Sequence, residues 1–317
     1  MPLFILRRLF TLCATLFAVS LIVFALFQAA PGDPAVMIAG LNASQEQLSV
    51  IREKLNLDAG PAAQYVYWLR DIIRADFGTS IQYGLPVREL VFDRLLISAA
   101  LAAESLAITV CLAVPAGIFM AYKRRSAAAA ALRHLTVIGL SVPHYFFSIL
   151  IALLFGLVLR VFVPGQFFHY SDDAAAFWQS LFFPALAAAL PNCCVLAQSV
   201  YTSAVGELSG AYVRTARSKG AGEWRILTRH VMPNALRPIL TMAGMIAADI
   251  CSGTVVAEQV FGIPGMGRLL ISGIARRDFP LVMAVTVYVS AVIVIVNCAV
   301  EIVIRIIDPR VRTAGGS

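Results

Sequence analysis

Charge is scarce in this sequence: Asp, Glu, Lys and Arg make up 14% of its 317 residues and 60% are apolar, against about 25% and 45–50% in a soluble domain. With a mean hydropathy of +0.82, this composition excludes a soluble globular protein. The long apolar runs also lack period-2 alternation, which excludes a membrane barrel and leaves helical spans as the way to satisfy the backbone. Histidine is rare: His134, His144, His169 and His230 are scattered, with no metal-ligand spacing. The six cysteines (Cys13, Cys111, Cys193, Cys194, Cys251 and Cys298) fall in or at the ends of apolar segments without C-x-x-C spacing. They read as small buried hydrophobes, so neither a metal site nor a cofactor is expected. A phosphate-binding G-x-x-x-x-G-K-[ST] loop is missing too; Gly78 to Gly84 has no following Lys, and the spacing of Gly262 to Gly267 differs from G-x-G-x-x-G. Any nucleotide-derived energy must come from another chain.

The net charge of +7 is not read as a nucleic-acid footprint, because the basic residues cluster in short segments between apolar runs. Positive-inside orientation in a membrane explains them better. Candidate spans lie at 9–29, 98–122, 135–161, 181–201, 239–260 and 280–306, each long enough for the roughly 30 Å hydrocarbon layer. The expected fold is all-α, with six transmembrane helices and both termini on the cytoplasmic side. Lys123, Arg124, Arg125, Arg133, the 201–238 loop, Arg310 and Arg312 all fall on that side; Arg268, Arg276 and Arg277 make the last outer loop an imperfect fit. Arg7-Arg8 precedes an apolar stretch too long for a signal-peptide core, so an uncleaved first span is expected.

The organisation expected is 1–29 for the N-terminus and first helix, 30–97 for an outward insertion, 98–306 for helices 2–6, and 307–317 for a cytoplasmic tail. Within the insertion, 45–57 and 61–76 read as amphipathic helices, the second with Tyr65, Tyr67, Trp68 and Leu69 as an interfacial anchor. Pro115, Pro143 and Pro191 fall inside spans, where the missing N–H predicts kinks.

The segment Tyr212 to Pro233, YVRTARSKGAGEWRILTRHVMP, is basic and Gly-interrupted. Each Lys or Arg costs roughly 2.5–3.5 kcal/mol at a membrane centre, so this segment sits in water, and a partner on that side is expected to grip it. Gly220 should supply dihedral freedom and close approach at a break between two helical pieces, leaving Arg214, Arg217 and Lys219 facing water. Inside the spans, Asp249 and Glu104 are ionisable, which marks a pathway by default, although helix pairing competes, more strongly for Glu104 near a span end. Glu301 and Arg305, at i and i+4 on the last helix, read as a structural pair.

In order along the chain stand LRRLF, APGDPA (Ala30 to Ala35), DFGTSIQYGLPV (Asp76 to Val87), the basic segment, EQVFGIPGMGRLL (Glu258 to Leu270), RDFP (Arg277 to Pro280) and DPR (Asp308 to Arg310). Together they resemble the inner-membrane permease subunits of ATP-binding-cassette importers of the peptide and nickel class, the dipeptide and oligopeptide permease B type. The family's cytoplasmic loop reads Glu-Ala-Ala, three residues, Gly, nine residues, then Ile-x-Leu-Pro. The matching positions hold Arg214, Thr215, Ala216, Gly220, His230, Met232 and Pro233; the leading Glu is absent.

The resemblance implies the type I importer fold and a multi-pass protein of the bacterial inner membrane. It implies partners as well: a homologous second permease, two ATPase subunits and a periplasmic solute-binding protein, within membrane lipid and without nucleic acid. The loop residues Arg214, Thr215, Ala216, Arg217, Lys219, Gly220, Ala221 and Pro233 would form the coupling helix that docks on an ATPase. Asp249, Glu104 and Asn192 would line the translocation pathway. The chain would then transport peptides or a related solute without being an enzyme itself. A self-sufficient ion-coupled carrier is the competing reading; it needs intramembrane ion sites and often internal symmetry, and only Asp249 is a serious site of that kind.

Overall fold

Apolar runs of this length satisfy their backbone by winding on themselves. The computed structural model of the chain describes residues 2–29, 35–36, 43–54 and 57–307 and is helical; its β pairing among those residues is one bridge, Thr79 with Pro86. The helices are α1 (Pro2–Ala29), α2 (Gln45–Lys54), α3 (Pro61–Ile73), α4 (Val87–Tyr122), α5 (Ala127–Ser141), α6 (His144–Ile151, running on as a wider π-type coil over Ala152–Val158), α7 (Ala174–Leu208), α8 (Ala211–Ser218), α9 (Glu223–Ile226), α10 (Met232–Phe261), α11 (Met266–Ala275) and α12 (Phe279–Ile307). The APGDPA segment up to Pro34, Arg310, Arg312 and the DPR segment lie outside the described residues.

Four of these helices, α1, α4, α7 and α12, are long and apolar enough to cross a bilayer unbroken, and the number rises to six if two bent pairs each count as one span. In the first pair, α5 meets α6 at 108°. The bend has a local cause at Pro143: Val142 before it is pushed to an extended conformation (φ −89°, ψ 127°) and ends α5. The second pair divides α10 between Cys251 and Gly253 at 45°. Pro115 and Pro191, expected to kink their spans, lie inside unbroken helices, so only the third expected kink falls at a break.

By its internal contacts the chain forms two compact units, Met1–Leu96 with Arg268–Ile295, and Ile97–Gly267 with Val296–Ser317. In the first, α3 lies on α1. The Tyr65 and Trp68 rings meet Phe24 at 5.3 and 5.8 Å, and the Tyr65 hydroxyl hydrogen-bonds Ser20 at 2.8 Å. The aromatic group expected as an interfacial anchor therefore turns mainly onto the first helix, with Tyr67 left exposed. The loop 76–87 is tied to the start of α12 by the fully buried Asp278, which accepts from Ser80 Oγ at 2.5 Å, the Gln82 N–H at 3.0 Å and the Leu281 N–H at 3.3 Å. The last bond makes Asp278 the N-cap of α12, followed by Phe279 and Pro280 in its first turn.

In the second unit α7 is the axis, with fourteen buried positions that include Ala185, Ala189, Cys193, Ala197 and Val200. Small residues there allow close backbone approach. A Cβ on Gly117 of α4 would stand 2.5 Å from Val200 Cβ and 2.7 Å from the Ala197 carbonyl. Thr109 Oγ1 lies 3.5 Å from the Ala189 carbonyl, and the Cys193 thiol reaches the Thr109 carbonyl at 3.8 Å. Contacts that advance from 109 with 189 to 117 with 197 mean that α4 and α7 run parallel.

The bent pair runs the other way. Arg133 on α5 donates to the Tyr201 hydroxyl at 3.0 Å, Gly139 abuts Cys194, and Ile151 on α6 joins the core cluster containing Phe177, Leu181 and Ala185. Helix α10 is likewise antiparallel to α7: Val231 clusters with Ala204 and Leu208, Ile250 with Ala189, and Phe261 with Phe177.

Candidate functional site

The basic segment forms a compact helical turn below the α7–α10 pair. Helix α7 stops at Ser209, Gly210 in an extended conformation starts α8, and Gly222 does the same for α9. The apolar side of this turn is anchored: Val213, Ile226, Leu227 and Val231 are buried with Ala121, Ala204 and Leu208. Arg214, Arg217, Lys219 and Arg225 stand on the exposed side with Trp224, whose ring meets Tyr122 edge-on at 5.4 Å.

The corner between α8 and α9 is built by Gly220. Its φ of 78° lies in the left-handed region, which costs a residue with a Cβ about 1–2 kcal/mol. Its N–H donates to the Arg217 carbonyl at 2.9 Å, and the Ala221 N–H donates to the Ala216 carbonyl at 3.1 Å. These are the two bonds of a Schellman cap, which satisfy the last carbonyls of α8, and Ala216 and Ala221 supply its apolar contact within the same cluster. A Cβ at Gly220 would have nothing within 4 Å. The expected dihedral role holds, whereas close approach inside this chain does not.

An ion pair straddles that corner. The Arg217 guanidinium grips Glu223 with two bonds, Nε to Oε1 at 2.6 Å and Nη2 to Oε2 at 3.0 Å. The bond from Arg217 holds the Glu223 carboxyl below its ordinary range and, reciprocally, raises Arg217. At the end of α7, the Tyr212 hydroxyl donates to Glu207 Oε2 at 2.6 Å; burial and that bond raise the phenol. Thr215 is exposed and bonds back to the Ala211 carbonyl at 3.2 Å, while Pro233 lies exposed in the first turn of α10. Seven of the eight loop residues singled out in the sequence thus meet in one turn, and Pro233 stands beyond it.

The three intramembrane candidates lie on three helices of the second unit. Asn192 on α7 is buried and donates to the Ala188 carbonyl of its own helix at 3.2 Å. Asp249 is on the exposed side of α10. Glu104 on α4 is half-buried, and its Oε2 is buried with no hydrogen-bond partner.

Sequence reasoning passed over Glu258 as a residue with its own task. It is 0% exposed, takes the Ser98 hydroxyl at 2.5 Å and the Gly267 N–H at 2.7 Å, and Ser98 in turn accepts from the Met266 N–H at 2.8 Å. A carboxylate so placed complements the positive end of α11. An acid closing an apolar span just before G-x-P-G was the available signal.

Long apolar helices with a basic helical turn between α7 and α10 define a multi-pass membrane protein. The chain belongs to the family described as "Binding-protein-dependent transport system inner membrane component", whose profile matches residues 113–313, with its companion N-terminal profile over residues 1–113. It is similar to the probable peptide ABC transporter permease protein y4tP of Sinorhizobium fredii, 34% identical over 98% of this chain and 100% of that one. It is similar too to the oligopeptide transport system permease protein AppB of Bacillus subtilis, 31% identical over 98% and 100%. The glutathione transport system permease protein GsiC of Salmonella choleraesuis is 31% identical over 98% of each chain.

Proposed function

We propose that this chain is the transmembrane subunit of an ATP-driven importer, moving peptides or a related small solute by alternating access. It would act with a homologous second permease, two ATPase subunits and a solute-binding protein. The observation that carries this reading is the capped basic turn Ala211–Ile226, anchored by buried Val213 and Ile226 to the ends of the core helices. A turn anchored in this way passes a push from an ATPase into α7 and α10, whereas a loop obeying only the positive-inside rule needs no such anchorage. Peptide cargo rests on the printed names of the relatives.

Six spans are the count this reading requires. Parallel α4 and α7 support it, because two parallel spans need an odd number of crossings between them, and the bent α5–α6 pair supplies one. Both termini then fall on the cytoplasmic side with the basic turn, and 30–97 faces outward. Asp249, Glu104 and Asn192 are assigned to the pathway, on three helices that pack together.

Affinity purification from the native membrane tests the assembly. Recovery of a second permease and ATPase chains, with loss of the ATPases when Arg214, Arg217 and Lys219 are reversed to Glu, is the expected result. Recovery of the chain alone would sink the proposal.

A further inference from the structure

Beyond Arg94 in α4, throughout α7, and from Pro238 onward in α10, the ionisable side chains among Asp, Glu, Lys, Arg and His are Glu104, Glu207, Asp249 and Glu258, all acids. Glu207 is engaged by Tyr212 at the basic turn, and Glu258 by Ser98 and the start of α11. Glu104 differs from both. It borders the buried stripe Leu101, Ser105 and Thr109, and its Oε2 is buried without a hydrogen-bond partner. The adjacent Ser105 hydroxyl is also buried and unpartnered.

An unpaired carboxylate oxygen in an apolar span is costly, and a charge in a membrane span is kept for a partner or a pathway. Its own helix offers no cation nearby: Arg94 is ten residues away, about 15 Å along the axis. The side chain is only partly buried, so a ligand can approach it from outside the packed core.

On the importer reading above, we infer that Glu104 is a specificity-determining residue of the pathway, pairing transiently with a cationic nitrogen of the cargo, an ammonium or guanidinium group. A transient counter-ion suits alternating access better than a fixed one, since cargo affinity must differ between the two states. Cargo bearing an extra cation should therefore pass more readily than cargo of the same size bearing an extra carboxylate.

The test uses the complete transporter with its native partners in liposomes, driven by ATP and supplied with saturating binding protein. Uptake of Lys-Ala-Ala is compared with uptake of Glu-Ala-Ala for the parent, Glu104→Gln and Glu104→Asp. Loss of one charge-assisted contact should lower the ratio of the two rates about ten-fold in Glu104→Gln, with subunit recovery unchanged and the ratio largely restored in Glu104→Asp. An unchanged ratio overturns the inference and leaves the importer reading intact. Loss of the second permease from the purified Glu104→Gln complex also overturns it, assigning the carboxylate to subunit assembly. Absence of ATP-driven uptake in the parent would instead bring down the importer reading, and the inference with it.

Discussion

Arg217 and Glu223 hold each other across the Gly220 corner by two hydrogen bonds, 2.6 and 3.0 Å long, with both side chains on the exposed side. The pair bridges α8 and α9 from outside while Val213 and Ile226 bury the opposite side. An exposed pair of this kind adds at most about 1 kcal/mol, so its role is to fix the shape of the corner. Glu223→Gln should leave expression and insertion unchanged while lowering the uptake achieved per ATP hydrolysed by the assembled transporter. Unchanged coupling would make the pair ornamental.

The pH dependence of this corner follows from the signs of its two shifts. Glu223 is held below its ordinary value of 4.5, so its contribution is complete above that value and fades as pH falls through the lower folded-state value. Arg217 is raised further by the same bond to Glu223 and stays charged throughout. Coupling should be flat from about pH 6 to 8, measured as the ratio of transport to ATP hydrolysis. A Glu223-dependent step inside that window would contradict the assignment.

Gly220 is constrained by its dihedral and has open space around it. Gly220→Ala should cost about 1 kcal/mol of local strain and reduce coupling modestly. Gly220→Trp adds a side chain that projects from the surface and should abolish co-purification of ATPases at undiminished membrane yield. Equal binding by both variants would show that nothing docks at this corner.

Gly117 faces the opposite constraint. With Val200 Cβ 2.5 Å from where its own Cβ would stand, Gly117→Ala must push α4 away from α7, at a cost of about 1–3 kcal/mol. Thermal unfolding in detergent should occur earlier than for Ala116→Gly, the control at the neighbouring, less buried position. A change no larger than the control's would mean that the two helices separate easily.

Much of the architecture was legible because membrane constraints leave few options: long apolar runs wind into helices, and the Tyr212 to Pro233 segment is too basic to cross the membrane. Gly220 could be read as a corner, since glycine in a basic, polar interruption signals a positive φ. Close packing there could not be read, because it depends on what stands opposite. The bend at Pro143 and the unbroken helices through Pro115 and Pro191 show the same limit. All three remove an N–H, but only at Pro143 does the preceding residue leave the helical region and end the helix. Asp278 with Ser80, and Glu258 with Ser98, join segments 198 and 160 residues apart. Their motifs stood out individually, yet nothing local revealed the pairing.

Solute uptake into liposomes containing the purified complex, measured with ATP and with a non-hydrolysable analogue, tests the central claim most directly. Tripeptide accumulation that requires ATP hydrolysis and disappears when Arg214, Arg217 and Lys219 are reversed to Glu is the predicted result. Uptake by this chain alone, without ATPase partners and driven by an ion gradient, would contradict the account and leave the basic turn a topological signal only.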